Sequence, residues 1–360
     1  MSMPPQPRPP GWQQGPWPPQ PPPPLPDFAP DKKNTAKWVL STVAVLVVVG
    51  ATIGGTLYFT RDNGGGGSTT SSSAAPSDVA SANDGGPVSI ISEEPTCDAY
   101  IGINNGIAAV EKNGWADGRA TLGPSSEWTS DQRTQIEAVA TALTNASDQM
   151  VSLAKQTPHR VVRELYEQFI AYGRAYAESL PGYTPKDNGL ASANVNTGVA
   201  LLGICNAIRY GAAARTLAVP PASAPTESAP VNDVSNPQRF IPDRGSVCSQ
   251  WTRRLNQVTA DTPDWQNLDG GIPAPQWSPE RRATEQRIRP LFTTYANDME
   301  AAGRQSGNPV LEDFAVLASQ YLRAYVAIGD DYNGAADSWL ANVAFSISNL
   351  VSGACLAVTE

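Results

Sequence analysis

Histidine is nearly missing from this 360-residue chain, with His159 the single one, and that excludes a His-rich metal site. Cysteine is sparse too. The four residues Cys97, Cys205, Cys248 and Cys355 never fall as CxxC, which excludes a zinc ribbon or a thioredoxin-type redox motif. Charged residues make up only 16% of the chain, against roughly 25% in an ordinary soluble domain. Lysine occurs at 32, 33, 37, 112, 155 and 186 alone, and 34 acidic residues outweigh 25 basic ones. An acidic chain of this kind is not expected to bind nucleic acid.

Catalytic signatures are also lacking. Ser152 and Lys155 stand as SxxK, but no KTG follows and Ser147-Asp148-Gln149 comes before the motif instead of after it, so no penicillin-binding enzyme is indicated. His159 has no nucleophile at a recognisable spacing and reads as a surface residue. Glu93-Glu94 and Asp330-Asp331 are adjacent pairs whose side chains diverge, and both read as solvated. EF-hand and metal-ligand spacings are absent, so neither a metal, a cofactor nor a catalytic residue is assigned.

What is present is strongly partitioned. Residues 1–37 include 14 prolines within the first 30, together with Trp12 and Trp17. Proline removes amide donors and there is little aliphatic surface to bury, so a disordered tail with polyproline II character is expected. Residues 38–59 form an uncharged apolar run of 22. At 1.5 Å per residue it reaches about 33 Å, enough to cross a hydrocarbon core of about 30 Å. Lys32, Lys33 and Lys37 precede it, whereas Arg61 with Asp62 follows, which puts the N-terminus in the cytoplasm and the rest outside. Gly50 and Gly54 within it form GxxxG, a spacing that lets two such helices associate. Residues 60–95 read as a Gly/Ser-rich stalk.

Beyond the stalk the chain repeats itself. Cys97 corresponds to Cys248, Trp115 to Trp265, Trp128 to Trp277, Arg174 to Arg323 and Cys205 to Cys355, at offsets between 149 and 151. Residues 96–210 and 247–360 are thus two copies, joined by a Pro/Ala/Ser-rich linker over 211–246 that is expected to act as a hinge. Each copy reads as helical. Thr129 with Gln132 is a capping box, Thr157-Pro158, Ser278-Pro279 and Asn308-Pro309 mark further helix starts, and apolar residues follow at helical spacing. Those stripes run through Ile136, Val139, Leu143 and Met150, and in the second copy through Ile288, Leu291, Tyr295 and Met299. The expected fold class is all-α: tandem disulfide-clamped four-helix bundles behind one transmembrane helix. Four cysteines allow three connectivities, and the repeat favours Cys97–Cys205 with Cys248–Cys355.

Two sets of residues stand out as candidate ligand or interface positions. Arg174 and Arg323 lie beside the apolar stripe of the third helix in each copy, either as anion anchors or as stems packed on the bundle with paired heads. Trp115, Trp128, Trp265 and Trp277 frame a loop in both copies, as a cleft lining or as a plug at the bundle end.

The proline-rich stretch PPQPRPPGWQQGPWPPQPPPP, the anchor at 38–59 and the Cys-clamped ectodomain together resemble the proline-rich single-pass envelope proteins of mycobacteria and related actinobacteria. The resemblance is one of layout. It implies an accessory role in the cell envelope, with other envelope proteins or lipids as partners, and assigns no residue. The leading reading is a non-catalytic binding or scaffold protein. A carrier or sensor holding a lipid or cell-wall fragment comes second, and an envelope hydrolase third. With the N-terminus inside, protease added to intact spheroplasts should remove residues 60–360 and spare the tail; cleavage of the tail instead would refute this topology.

Overall fold

The computed structural model describes residues 78–216, 219–243 and 245–358. The tail, the apolar run 38–59 with Gly50 and Gly54, and most of the stalk lie outside the described residues. The described residues are helical and contain no strand.

The first half comprises α1 (Cys97–Glu111), the short α2 (Trp115–Gly118), α3 (Ser130–Gln156), α4 (Arg160–Ser179), α5 (Asn188–Arg209) and the short α6 (Ala212–Arg215). The second comprises α7 (Ser246–Asp261), the short α8 (Pro263–Gln266), α9 (Pro279–Gln305), α10 (Pro309–Ile328) and α11 (Gly334–Ala357). Helices α3 and α9 have 27 residues each, and α4 and α10 have 20 each. In the first half α3 lies on α4, α4 on α5, and α1 on α3 and α5; in the second α9 lies on α10, α10 on α11, and α7 on α9 and α11. Both disulfides stay within a half. Cys97–Cys205 ties α1 to α5, and Cys248–Cys355 ties α7 to α11.

Local chemistry explains the helix starts. Thr129 Oγ1 accepts from Gln132 N at 3.2 Å and Gln132 Oε1 accepts from Thr129 N at 3.0 Å, a closed capping box. Ser278 Oγ accepts from Arg281 N at 3.2 Å, and Asn308 Oδ1 accepts from Leu311 N at 3.1 Å. Thr157 departs from the sequence reading. It terminates α3, and its hydroxyl donates to Glu94 Oε2 at 2.6 Å. Helix α4 begins at Arg160, whose amide donates to Asp84 Oδ2 at 2.7 Å, so the cap arrives from 76 residues upstream. On α9 the buried stripe includes Phe292, whereas Leu291 is half-buried.

The two halves do not hang on a hinge. Helix α5 lies along α11 so closely that three glycine positions at the contact have no room for a Cβ. A Cβ on Gly203 would come 2.8 Å from Val343 Cγ2, one on Gly353 would come 2.7 Å from Ala193 N, and one on Gly189 would come 2.5 Å from Ala357 N. Gly203 and Gly353 each sit two residues before their half's second cysteine, and Ala193 and Val343 each sit twelve before it. The contacts are therefore reciprocal, as across a two-fold interface. Helices 185–209 and 334–357 are also long and apolar enough to cross a membrane, and both are mostly buried inside the protein.

Two straps complete the junction. Residues 78–95, expected as the end of the stalk, lie on the helices: Val79, Val88 and Ile91 are buried, and Ala80 N donates to Lys155 O at 2.8 Å. The linker also folds down. Phe240 inserts between Tyr172 of α4 and Phe314 of α10, with ring centroids 6.2 and 5.2 Å away. Gln168 Oε1 accepts from Phe240 N at 3.0 Å, and Asn308 Nδ2 donates to Phe240 O at 2.6 Å. Because the halves share a core, a large side chain at the seam should weaken both. Overpacking of this kind costs about 1–3 kcal/mol. Gly203→Leu or Gly353→Leu should lower the melting temperature by roughly 5–10 °C in one calorimetric transition; two transitions, one unshifted, would show independent halves.

Candidate binding site

The four tryptophans close the same end of each half. Trp115 Nε1 donates to Tyr176 OH at 2.9 Å, and Trp265 Nε1 donates to Tyr325 OH at 2.8 Å. Trp128 Nε1 donates to Gly123 O and Trp277 Nε1 to Ile272 O, both at 2.9 Å. Trp128 rests on Tyr183 and Trp277 on Tyr332, with centroids 5.2 and 5.4 Å apart. All four indoles are buried and their N–H groups are taken, so they plug the helix ends.

Beneath each plug lies a buried arginine with a glutamate, a feature the repeat did not reveal. In the first half Arg119 Nη1 donates to Asn188 Oδ1 at 2.8 Å and its guanidinium lies 5.3 Å from the Trp115 ring centre. Burial pushes the nearby Glu111 carboxyl up to about 7, against the pull of Arg119. In the second half Arg281 lies 5.0 Å from the Trp277 ring centre and precedes Glu285 by one turn of α9. Glu285 accepts from Tyr325 OH at 3.1 and 3.2 Å, and burial raises its pKa. Arg119 and Glu111 come from the loop after α2 and from α1, whereas Arg281 and Glu285 both come from α9. Equal chemistry thus arises at unequal positions, which the constant sequence offset between the halves does not disclose. The enclosed space lined by Trp265, Arg281, Glu285 and Tyr325 is about 10 Å³, no more than one water occupies.

Arg174 and Arg323 stand apart from the tryptophans. Arg174 Nη2 pairs with Asp148 at 2.7 Å and Nη1 donates to Ser235 O at 2.6 Å. Arg323 Nη1 pairs with Glu300 at 2.6 Å and Nη2 donates to Asn297 Oδ1 at 2.8 Å. Each fastens its helix to the preceding long one. His159 Nε2 lies 2.8 Å from Glu93 O, and Ser152 Oγ donates to Gln149 O at 3.0 Å while Lys155 pairs with Asp78. Glu94, expected in solvent, is buried and accepts from Thr96 N at 3.0 Å and from Thr96 Oγ1 at 2.6 Å.

The densest set of buried charges sits where α4 meets α10. Arg160 grips Asp313 through Nε at 2.6 Å and Nη2 at 3.1 Å. Arg163 pairs with Glu167 at 2.8 Å and donates through Nε to Ser81 Oγ at 3.1 Å. Glu164 is fully buried beside Asp313; burial first, then the Asp313 charge, drive its pKa well up, and Arg163 and Arg160 oppose them. Glu164 and Asp313 are each the fifth residue of their helix, so equivalent acids face one another. This cluster joins the halves and offers no open site.

One open concavity adjoins a tryptophan. Trp128, Glu137, Thr141, Asn145, Leu180 and Pro181 border a groove of about 590 Å³ between α3 and the end of α4. Among the described residues Tyr210 is the only large apolar side chain that is exposed.

Fold and interior define the class: an all-helical protein with two disulfides, one closing each half, whose buried charges largely answer one another. More narrowly, residues 79–359 match the mycobacterial ESX-1 associated protein family, and the chain belongs to it. It is 40% identical over 346 residues to an uncharacterized protein of Mycolicibacterium smegmatis (strain MKD8), a match that covers 94% of this chain and 91% of that one. No solved structure matches. Both findings fit the mycobacterial resemblance of the sequence layout.

Buried and half-buried acids set a pH dependence. Glu111, Glu164, Glu167 and Glu285 are all raised, each chiefly by burial. A carboxyl raised on folding stabilises below its ordinary value, 4.5 for glutamate, and that stability is lost as pH climbs through the folded value, about 7 for Glu111. The melting temperature should therefore fall between pH 5 and pH 7.5, and Glu111→Gln should flatten that slope. A melting temperature that rises over this interval would contradict the assignment.

Proposed function

We propose that the chain is a non-catalytic, membrane-anchored binding or scaffold protein of the mycobacterial cell envelope that works with the ESX-1 secretion system. Membership of the ESX-1 associated family supports the link to secretion. The apolar run 38–59 supports an anchor, the lysines before it support a cytoplasmic N-terminus, and two disulfides suit an oxidising compartment outside the cytosol. We read the halves as two copies of one four-helix bundle, since Trp–Tyr and Trp–carbonyl bonds recur in both at matching offsets.

One observation carries the scaffold reading. The halves are locked into one body by the α5–α11 seam, the Arg160–Asp313 pair and two straps, which is the construction of a stiff platform. A lipid carrier would need enclosed apolar volume between helices, and the enclosed space at the Trp265 end is about 10 Å³. The reading is tested by deleting the gene and measuring export of ESX-1 substrates into the culture filtrate. Export should fall, and should return with the full chain or with Glu285→Gln but not with a chain lacking residues 38–59. Unchanged export after deletion would refute the secretion link. Loss of export in a folded Glu285→Gln protein would refute the non-catalytic reading.

A further inference from the structure

Corresponding faces of the two halves differ at a pair of positions that bears on an open groove. Helices α3 and α9 correspond residue for residue, as do α4 and α10. On that register Ala140 corresponds to Arg289 and Pro181 to Asp330. In the second half Arg289 and Asp330 form an ion pair at 2.7 Å that spans from α9 to the turn after α10. In the first half the same two positions carry a methyl group and a proline ring, and the groove of about 590 Å³ stands open between them. That volume is within the range of roughly 300–1,000 Å³ typical of small-ligand sites.

The lining indicates what would enter. The floor is apolar: Ala140 and Ala177, then Leu180 and Pro181, with Trp128 at one end. The rim is polar and charge-balanced, with Arg133 and Glu137 as its two ions and Thr141 and Asn145 one and two turns further along α3. Thr141 and Thr144 donate their hydroxyl protons to Glu137 O and Ala140 O, which leaves oxygen lone pairs to accept from a ligand. Both walls are helices, whose main-chain groups are already bonded, so an extended peptide finds no strand edge to join. A balanced rim gives a strongly charged ligand no net attraction. Apolar steps under a rim of mixed donors and acceptors match a molecule with hydrophobic C–H faces and hydroxyl edges. We propose that the α3–α4 groove of the first half binds a neutral linear oligosaccharide, and that Arg289 with Asp330 closes the equivalent place in the second half. This site is argued from the groove alone and stands or falls apart from the ESX-1 link.

The test is calorimetric titration of the full-length protein in detergent with maltoheptaose and with chitotetraose, and with a decaproline peptide as the peptide arm. At least one saccharide should bind with one site per chain, and decaproline should not compete. Ala140→Arg combined with Pro181→Asp transplants the closure of the second half into the first and should weaken binding at least tenfold. Should that double variant fail to fold, Glu137→Ala with Asn145→Ala, both on exposed residues, should weaken binding at least fivefold at an unchanged melting temperature. Absence of binding by both saccharides at millimolar concentration, binding that survives in the folded variants, or displacement by decaproline would overturn the proposal.

Discussion

Two helical backbones cannot approach within side-chain distance unless something small occupies the crossing. The α5–α11 seam meets that constraint with Gly189, Gly203 and Gly353, at which an added Cβ would strike the opposite helix. Once the seam is that tight, the rest of the junction is set. Helices α4 and α10 are drawn together alongside it. Their facing side chains lose water, whatever their polarity.

Reciprocal packing brings like against like. Glu164 and Asp313 are each the fifth residue of their helix, so where α4 meets α10 an acid faces an acid. Two buried carboxylates in contact repel, and the pair is relieved in two ways: Arg160 holds Asp313 through two nitrogens, and Glu164 is pushed toward its neutral form. Arg160 has Pro309 as its equivalent, so the relief breaks the symmetry that created the problem. The straps serve the same end. Ser81 satisfies part of Arg163, and Asp84 and Gly86 satisfy part of Arg160, on the side where no helix is available.

How much of this the sequence discloses depends on how local the cause is. The starts of α3, α9 and α10 are legible because the capping atoms lie within three residues of the amides they bind. The start of α4 is not, since Asp84 supplies the cap from a distant segment and Thr157 turns to Glu94 instead. Val161, Leu165, Phe169, Tyr172 and Tyr176 recur at helical spacing and lie on one buried face of α4. Arg160, Arg163, Glu164 and Gln168 give no sign that another face is buried too, because burial there comes from the partner half and the straps. The tryptophans could be singled out by residue type, but the arginine and glutamate beneath them come from the turn after α2 and from α1 in one half, and both from α9 in the other. The groove is legible only as a difference, once Ala140 is set against Arg289 and Pro181 against Asp330.

The strap of residues 78–95 has a mechanical consequence. Any tension carried along the chain from its N-terminal side enters the body at Asp78, beside Lys155 at the foot of α3. From there the attachments run in sequence: Ala80 to Lys155, Ser81 to Arg163, then Asp84 to the first amide of α4. A pull would meet them one at a time, as in a zip, and the third is also the cap of α4 and a partner of Arg160 at the junction. Load applied at the tether is thereby led to the contact between the two halves, while the disulfide at Cys97, farther along the chain, keeps α1 and α5 together.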